Sequence, residues 1–312
     1  MLRHIVAIAV FAASISAFVS TPTNAADKMT LRTVTDGVYM MENGRGSSNS
    51  TFVVTKEGVL VLDFDIRTAD QVLAAIRKKT DKPVRYLVSS HSAGDHSTGA
   101  MHFQADKPIY IAHKNQVRDL FMQEGKEFAR RTEERQSYKG KKLVRPTLGF
   151  EKSLTLYMGG LTFQIRHEGH GHSTGDTTIY IPQKRVFLAG DILDTEIHPG
   201  QGSSGESSYS KVSGWIKIID NITARNLPVD TFVPGHGPVH VNRGIADLQE
   251  QKRYFVVMRN EVAKRIKQGK SPSQIYRELK KNMPKEFAHY RRSSRLRNFI
   301  KRFWHQLHDR GL

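Results

Sequence analysis

The chain has 312 residues, with 48 Lys and Arg against 30 Asp and Glu. Its formal charge of +18 favours anionic partners: a membrane surface, cell-wall polymers or a negatively charged substrate. With no cysteine, disulfides, a thiolate-ligated metal and a cysteine nucleophile are all excluded, and stability must come from an ordinary hydrophobic core.

The first segment reads as a targeting signal. Arg3 precedes an apolar run over residues 5–19 that is too short to span a bilayer comfortably, and Thr23-Asn24-Ala25 forms a small-x-small cleavage pattern. We therefore expect a signal peptide over residues 1–26 and a periplasmic or secreted protein. Export removes the chain from nucleic acid, so no nucleic-acid partner is expected. The remainder divides into a domain over 27–245 and a basic helical extension over 246–312.

Residues 30–41 alternate apolar and polar around Asp36-Gly37, a hairpin signal, and residues 50–54 and 59–62 flank a second turn at Lys56-Glu57-Gly58. Asp63 and Asp65 follow where that second strand runs out. Residues 68–79 predict a helix, with Thr68 placed to cap it and Val72, Leu73 and Ile76 as its apolar face. An apolar strand over 84–88 then runs through Ser89-Ser90 into His91-Ser92-Ala93-Gly94-Asp95-His96. Two imidazoles and a carboxylate within six residues at a strand end suit a metal such as zinc. The alternative is a polar turn whose side chains only satisfy local backbone groups. A short helix over 97–103, a strand over 108–112 and a charged helix over 114–136 come next. The basic run at 139–142 continues that helix as a solvated face or as a flap over the site.

Gly159-Gly160 joins residues 154–158 and 161–166 in another hairpin. The loop 168–176 is too rich in glycine for a helix and carries His170, His172 and Asp176. Strands over 177–181 and 185–188 follow, the second ending at Gly190-Asp191. Residues 201–208 are Gly- and Ser-rich. A helix over 215–222 and a strand over 231–233 lead to Pro234-Gly235-His236-Gly237. From Arg243 the chain is helical, broken near 269–272 and at Met283-Pro284. Four loops at strand ends thus carry His or Asp, and such loops gather at one rim of α/β sheets, where ligand sites form.

These blocks resemble the metallo-β-lactamase superfamily. The resemblance covers residues 30–241 and rests on His91-x-x-x-Asp95-His96, the loop 169–176 with His170 and His172, Ala189-Gly190-Asp191, and Pro234-Gly235-His236-Gly237. The stretch from His198-Pro199 through Ser213-Gly214-Trp215 looks like the periplasmic zinc hydrolases associated with sulfur oxidation and quinoprotein systems. The resemblance implies an α/β fold, a four-layer αββα sandwich with the helical C-terminal extension added, and a binuclear metal site at one rim. The family's first motif is His-x-His-x-Asp-His, and here Ala93 replaces the second His. Carried over residue by residue, the first metal position keeps His91 and His172. The second keeps Asp95, His96 and His236, and Asp191 bridges the two or leans on one.

On that assignment the expected cofactor is one tightly held Zn2+, with the second position weak or empty. The expected reaction is hydrolysis by metal-bound hydroxide, with Asp95 orienting the water or acting as base. The bond is an ester, lactone, β-lactam-like amide, thioester, or sulfate or phosphate ester, in a small-molecule substrate that the basic surface suggests is anionic. His170, either a rescuing ligand or a substrate contact, and His198 are candidate substrate-binding residues; His113, His167 and His240 flank the motifs. Asp63 and Asp65 are placed to orient ligands. The tail combines helical apolar spacing with a basic outer face, which also suits peripheral contact with an anionic membrane. The competing reading is a degenerate member that binds a ligand or partner without turnover, the missing imidazole being the reason.

Overall fold

In the computed structural model, residues 28–44, 48–200 and 210–308 are described. The expected signal peptide and the Gly/Ser-rich stretch 201–208 lie outside them. The turn at Asp36-Gly37 joins β1 (Met29–Thr35) to β2 (Val38–Asn43), with Gly37 at φ 74° in the left-handed region that a tight hairpin requires. β3 (Ser50–Val54) and β4 (Val59–Leu62) form the next hairpin.

Beyond β4 the connections become crossovers and the strands pair in parallel. α1 (Ala69–Lys79) leads to β5 (Val84–Val88). A single helical turn, α2 (Gly94–Ser97), and a 3₁₀ segment (Ala100–Asp106) lead to β6 (Ile109–His113), and α3 (Lys114–Glu134) leads to β7 (Leu148–Phe150). Seven strands therefore lie in sequence order in one sheet. The second sheet has five strands in reverse order: β8 (Ser153–Met158), β9 (Leu161–Gly169), β10 (Asp176–Ile181), β11 (Val186–Asp194) and, after α4 (Val212–Ala224), β12 (Thr231–His236).

Side-chain alternation assigns the layers. In β4, Leu60 and Leu62 face the second sheet, while Val59 and Val61 pack under α1 and α3. Because both faces are buried, the strand reads Val-Leu-Val-Leu with no polar break. β11 does the same, with Val186 and Leu188 between the sheets and Phe187 and Ala189 against the outer helices. The architecture is an αββα sandwich.

The C-terminal extension forms α5 (Ala246–Ile266), α6 (Pro272–Lys281) and α7 (Ser293–His308), which cover the second sheet together with α4. Its breaks fall where the sequence puts Gly269, Pro272 and Pro284. Ser271 and Gln274 exchange side-chain and backbone hydrogen bonds in a capping box that starts α6. Among the described residues no helix is long and apolar enough to cross a membrane.

Three local expectations change. Thr68 makes no side-chain cap; the Asp65 carbonyl accepts from the Thr68 and Ala69 amides instead. The helix expected over 97–103 is instead two pieces, α2 over Gly94–Ser97 and the 3₁₀ segment over Ala100–Asp106, so Asp95 and His96 sit on a helical turn. Strands β9, β11 and β12 run further than their apolar stretches, to Gly169, Asp194 and His236, because ladder pairing carries them into the Gly-rich loops.

Leu60 is fully buried between the sheets, so Leu60→Ala is expected to cost about 2–5 kcal/mol in denaturant unfolding. Tyr157→Ala, at a site 75% exposed, is expected to change stability by less than about 0.5 kcal/mol. Equal effects would contradict the layer assignment.

Candidate metal centre

Four strand ends bring their side chains to one rim. The turn after β5 presents His91, and α2 presents Asp95 and His96. The loop between β9 and β10 presents His172. β11 presents Asp191 near its end, and β12 ends on His236. Parallel pairing of β11 with β12 sets Asp194 opposite His236.

The loops are tied to one another as well as to their strands. Gln116 of α3 donates to the carbonyls of Ser90 and Gly175 and accepts from the Ser89 hydroxyl, joining the His91 loop to the His172 loop. Asp176 accepts from the Gly171 and Ser173 amides and the Ser173 hydroxyl, which fixes the turn carrying His172. Asn49 donates to the carbonyls of Pro234 and Gly237. Gly190, at φ 52°, sits where a Cβ would lie 2.3 Å from that of Ser90, and a Cβ on Gly235 would lie 2.1 Å from Asp191 Oδ1. Glycine at both positions lets the Asp191 carboxylate enter the cluster.

The resulting groups are close. Ligand atoms of His91, His172 and Asp191 lie within 4.8 Å of one another, as do those of Asp95, His96 and His236, and those of Asp191, Asp194 and His236. Asp191 Oδ1 is 3.3 Å from His96 Nε2, and its Oδ2 is 3.3 Å from His236 Nε2 and 3.6 Å from His172 Nε2. The carboxylate thus stands between two adjoining positions. All of these side chains are buried except Asp95, which is 29% exposed and opens the rim to solvent.

The donor set fits a metal ion. His91 Nε2 and Asp191 Oδ1 are buried with no hydrogen-bond partner, which is costly unless something else satisfies them. Imidazoles with carboxylates and no thiolate suit zinc and its neighbours. Behind the ligands, Asp63 Oδ2 lies 2.8 Å from His96 Nδ1, leaving Nε2 to face the centre. Asp63 takes φ 62° and also accepts from the Ser90 amide and hydroxyl.

Charges at the rim are sharply sorted. Burial opposes ionisation of Asp191, yet His236, His96 and His172 hold it well below the usual carboxylate range. Burial likewise opposes ionisation of Asp95, but His96 and His236 keep it well below that range. For His96, burial is outweighed by Asp191, Asp63 and Asp95, which push its pKa up to about 10. His91 is driven down by burial and then by His96 and His172; His172 falls to about 4, chiefly through burial. Burial and then the charge of Asp191 raise Asp194 to about 6.

The sequence profile of the metallo-beta-lactamase superfamily matches residues 43–236. The chain belongs to this superfamily. It is 23% identical over 221 residues to a type 2 metallo-beta-lactamase of Bacteroides fragilis, covering 68% of this chain and 80% of that one. It is 21% identical over 267 residues to a linear primary-alkylsulfatase of a Pseudomonas species, covering 75% of this chain and half of the relative. Among solved structures, a metallo-beta-lactamase from Pontibacter korlensis superposes with a TM-score of 0.59 at 17% identity, over 73% of this chain and 98% of that one. A stereoselective inverting sec-alkylsulfatase from a Pseudomonas species gives 0.66 at 20% identity, over 89% of this chain and 50% of that one. At these identities the likeness concerns the fold.

Within the superfamily fold, the six expected ligand positions converge and Ala93 does not join them. Its side chain is a methyl group, and its carbonyl accepts from the His96 amide and the Ser97 hydroxyl. His170 is half-buried and stands outside the three ligand groups. His198 is buried away from them, its Nδ1 2.8 Å from the Tyr254 hydroxyl and its ring against Tyr290. His113 stacks on His167, and His240 lies between Asp247 and Glu196. Asp65 pairs with Arg67. Two residues that the sequence did not single out belong to the centre. Asp194 reaches it because β11 is irregular between Gly190 and Asp194, and Arg295 of α7 lies with Nη2 3.0 Å from His236 Nε2.

Metal uptake should carry a proton signature. His96 is raised far above the ~6.5 of a free imidazole, whereas a ligating imidazole is neutral. By linkage, its proton stabilises the metal-free fold fully below about pH 6.5, and that contribution is lost as pH rises through about 10. Zinc titration calorimetry at pH 6, in buffers of different ionisation enthalpy, is expected to show at least about one proton released per ion, from His96 and in part from Asp194. Uptake without proton release would contradict the assigned charge on His96.

Proposed function

We propose that this chain is an exported zinc-dependent hydrolase that cleaves an ester, lactone, β-lactam-like amide, thioester, or sulfate or phosphate ester in a small molecule. The observation that carries the reading is the meeting of His91 with His172, and of Asp95 with His96 and His236, on either side of the Asp191 carboxylate. Asp95, His96, His236 and Asp191 would hold one ion tightly. His91 and His172 would hold a second only weakly, because Ala93 brings no third imidazole and Asp191 is shared. The relatives span amide-cleaving and sulfate-ester-cleaving enzymes by name, and both lie within the bond types this site suits. The apolar N-terminal run and its small-x-small pattern support export.

When bound, zinc supplies Lewis acidity, acidifying water and withdrawing charge from the bond under attack. The chain's own groups do the positioning. Asp95 is ionised and is the exposed member of its group, so it can accept a hydrogen bond from a water at the rim and aim its oxygen at the substrate. Its depressed pKa suits it to orient that water rather than to retain its proton. Hydrolysis places the water's hydroxyl on the electrophilic centre and its remaining proton on the leaving oxygen. Asp63 keeps the His96 ring from turning, and Trp215, edge-on to His172 with its Nε1 donating to the Ile192 carbonyl, walls the other side.

A second reading has one observation in its favour: Ala93 removes a ligand, as expected of a member that binds without turnover. Chromogenic sulfate, phosphate, carboxylic ester, lactone and cephalosporin substrates, offered with and without zinc, separate the two. The hydrolase reading expects zinc-dependent turnover of at least one, reduced about 10²–10⁴-fold in Asp95→Asn. No zinc-dependent turnover of any of them would favour the binding protein.

A further inference from the structure

Deepening the hydrolase reading, we propose that the C-terminal extension completes the active site. Arg295, with Arg292 beside it, would bind the oxyanion of an anionic substrate. The substrate class is then an ester whose acid portion carries a negative charge at the scissile end.

Arg295 does not point outward with the rest of the basic tail. Its side chain is only 17% exposed, with Nη1 3.4 Å from Asp194 Oδ1 and Nη2 3.0 Å from His236 Nε2. Its place is built rather than incidental. The amide of Arg291 donates to the Glu196 carbonyl and the Arg291 carbonyl accepts from the His198 amide, which stitches the start of α7 to the segment following β11. Gly200 donates its amide to Asp194 Oδ2, and a Cβ there would sit 3.2 Å from the Arg295 guanidinium. Glycine therefore leaves the room that the guanidinium fills. His198, buried against Tyr254 and Tyr290, secures the same segment from behind.

The chemistry follows from the hydrogen bond to His236. An imidazole nitrogen that ligates a metal has no lone pair left to accept a proton donor. Once His236 Nε2 serves a metal, Arg295 Nη2 loses that acceptor while staying anchored through Nη1 to Asp194. A buried guanidinium donor requires another acceptor, and the acceptor on offer at a substrate pocket is a substrate oxygen. Arg292 adds to the field. It is half-buried at φ 68°, within electrostatic range of Asp95, Asp194, Arg67 and Arg295. Arg67 and Arg295, from two distant parts of the chain, thus both lie within electrostatic range of Arg292. Asp65 offsets Arg67 and Asp194 faces Arg295 through Nη1, and the fork of donors on an arginine matches the oxygens of sulfate or phosphate.

The test uses the zinc-loaded full-length protein and calorimetric binding of inorganic sulfate, inorganic phosphate and acetate. Wild type is expected to bind sulfate or phosphate, and acetate more weakly. Arg295→Ala should weaken that binding about tenfold or more, with Arg295→Lys intermediate and zinc content per chain unchanged in both. Arg297→Ala, on the exposed side of the same helix over the Tyr276 ring, should bind as wild type does. Sulfate or phosphate, whichever binds more tightly, names the ester class; acetate bound more tightly than both would overturn that class, because a carboxylic ester carries no charge at its scissile end. The proposal is overturned if Arg295→Ala and Arg295→Lys bind the anions as wild type does, or if they lose anion binding only in step with zinc. It is overturned as well if wild type binds none. The outcomes separate from those for hydrolysis: anion binding through Arg295 without turnover of any substrate would sink the hydrolase and leave the clamp. Turnover of neutral esters without anion binding would do the reverse.

Discussion

A carboxylate with 3% of its surface exposed should be protonated, because burial penalises its charge. Asp191 is instead held ionised by His236, His96 and His172, and the same attraction runs in the other direction to charge His96. Each group tolerates burial only because the others are there. The arrangement has a cost that an ordinary core would avoid: buried atoms on His91 and Asp191 have no hydrogen-bond partner. Such a cluster makes physical sense when a cation enters between the two halves. The αββα layers serve this contact, since pairing of β11 with β12 and the glycines at 190 and 235 within those strands fix where the carboxylate lies.

Much of this was legible in the sequence, and for a definite reason. Strands buried on both faces write themselves as unbroken apolar runs, as in Val59–Leu62, and the loops that leave them switch abruptly to Gly, His and Asp. That contrast marks His91, Asp95, His96, His172, Asp191 and His236 as rim residues before any coordinates are known. Asp63 was also visible as a carboxylate at a strand end, although its hydrogen bond to His96 was not.

What escaped the sequence depends on tertiary geometry. Asp194 lies three residues beyond Asp191, which in a regular strand would put it on the opposite face; an irregularity in β11 returns it to the same pocket. Arg295 lies in a run of basic residues at helical spacing, so nothing local distinguishes it from Arg297, which faces solvent. Its role comes from two backbone hydrogen bonds between residues 196–198 and 291. His198 looked like a pocket histidine because it follows Asp191 closely, but Tyr254 on α5 captures its ring. In both cases the deciding contact crosses between the 27–245 domain and the C-terminal extension, whose helices look from sequence like an appendage.

Everything rests on Asp191 sharing a cation with the imidazoles around it. A crystal structure of the zinc-loaded protein, with anomalous data collected at the zinc edge, tests this most directly. The account predicts a strong peak about 2.0–2.2 Å from ligand atoms of Asp95, His96, His236 and Asp191, with any second peak, beside His91 and His172, weaker. A zinc peak elsewhere on the molecule, or a peak at the rim that leaves Asp191 uncoordinated, would contradict it.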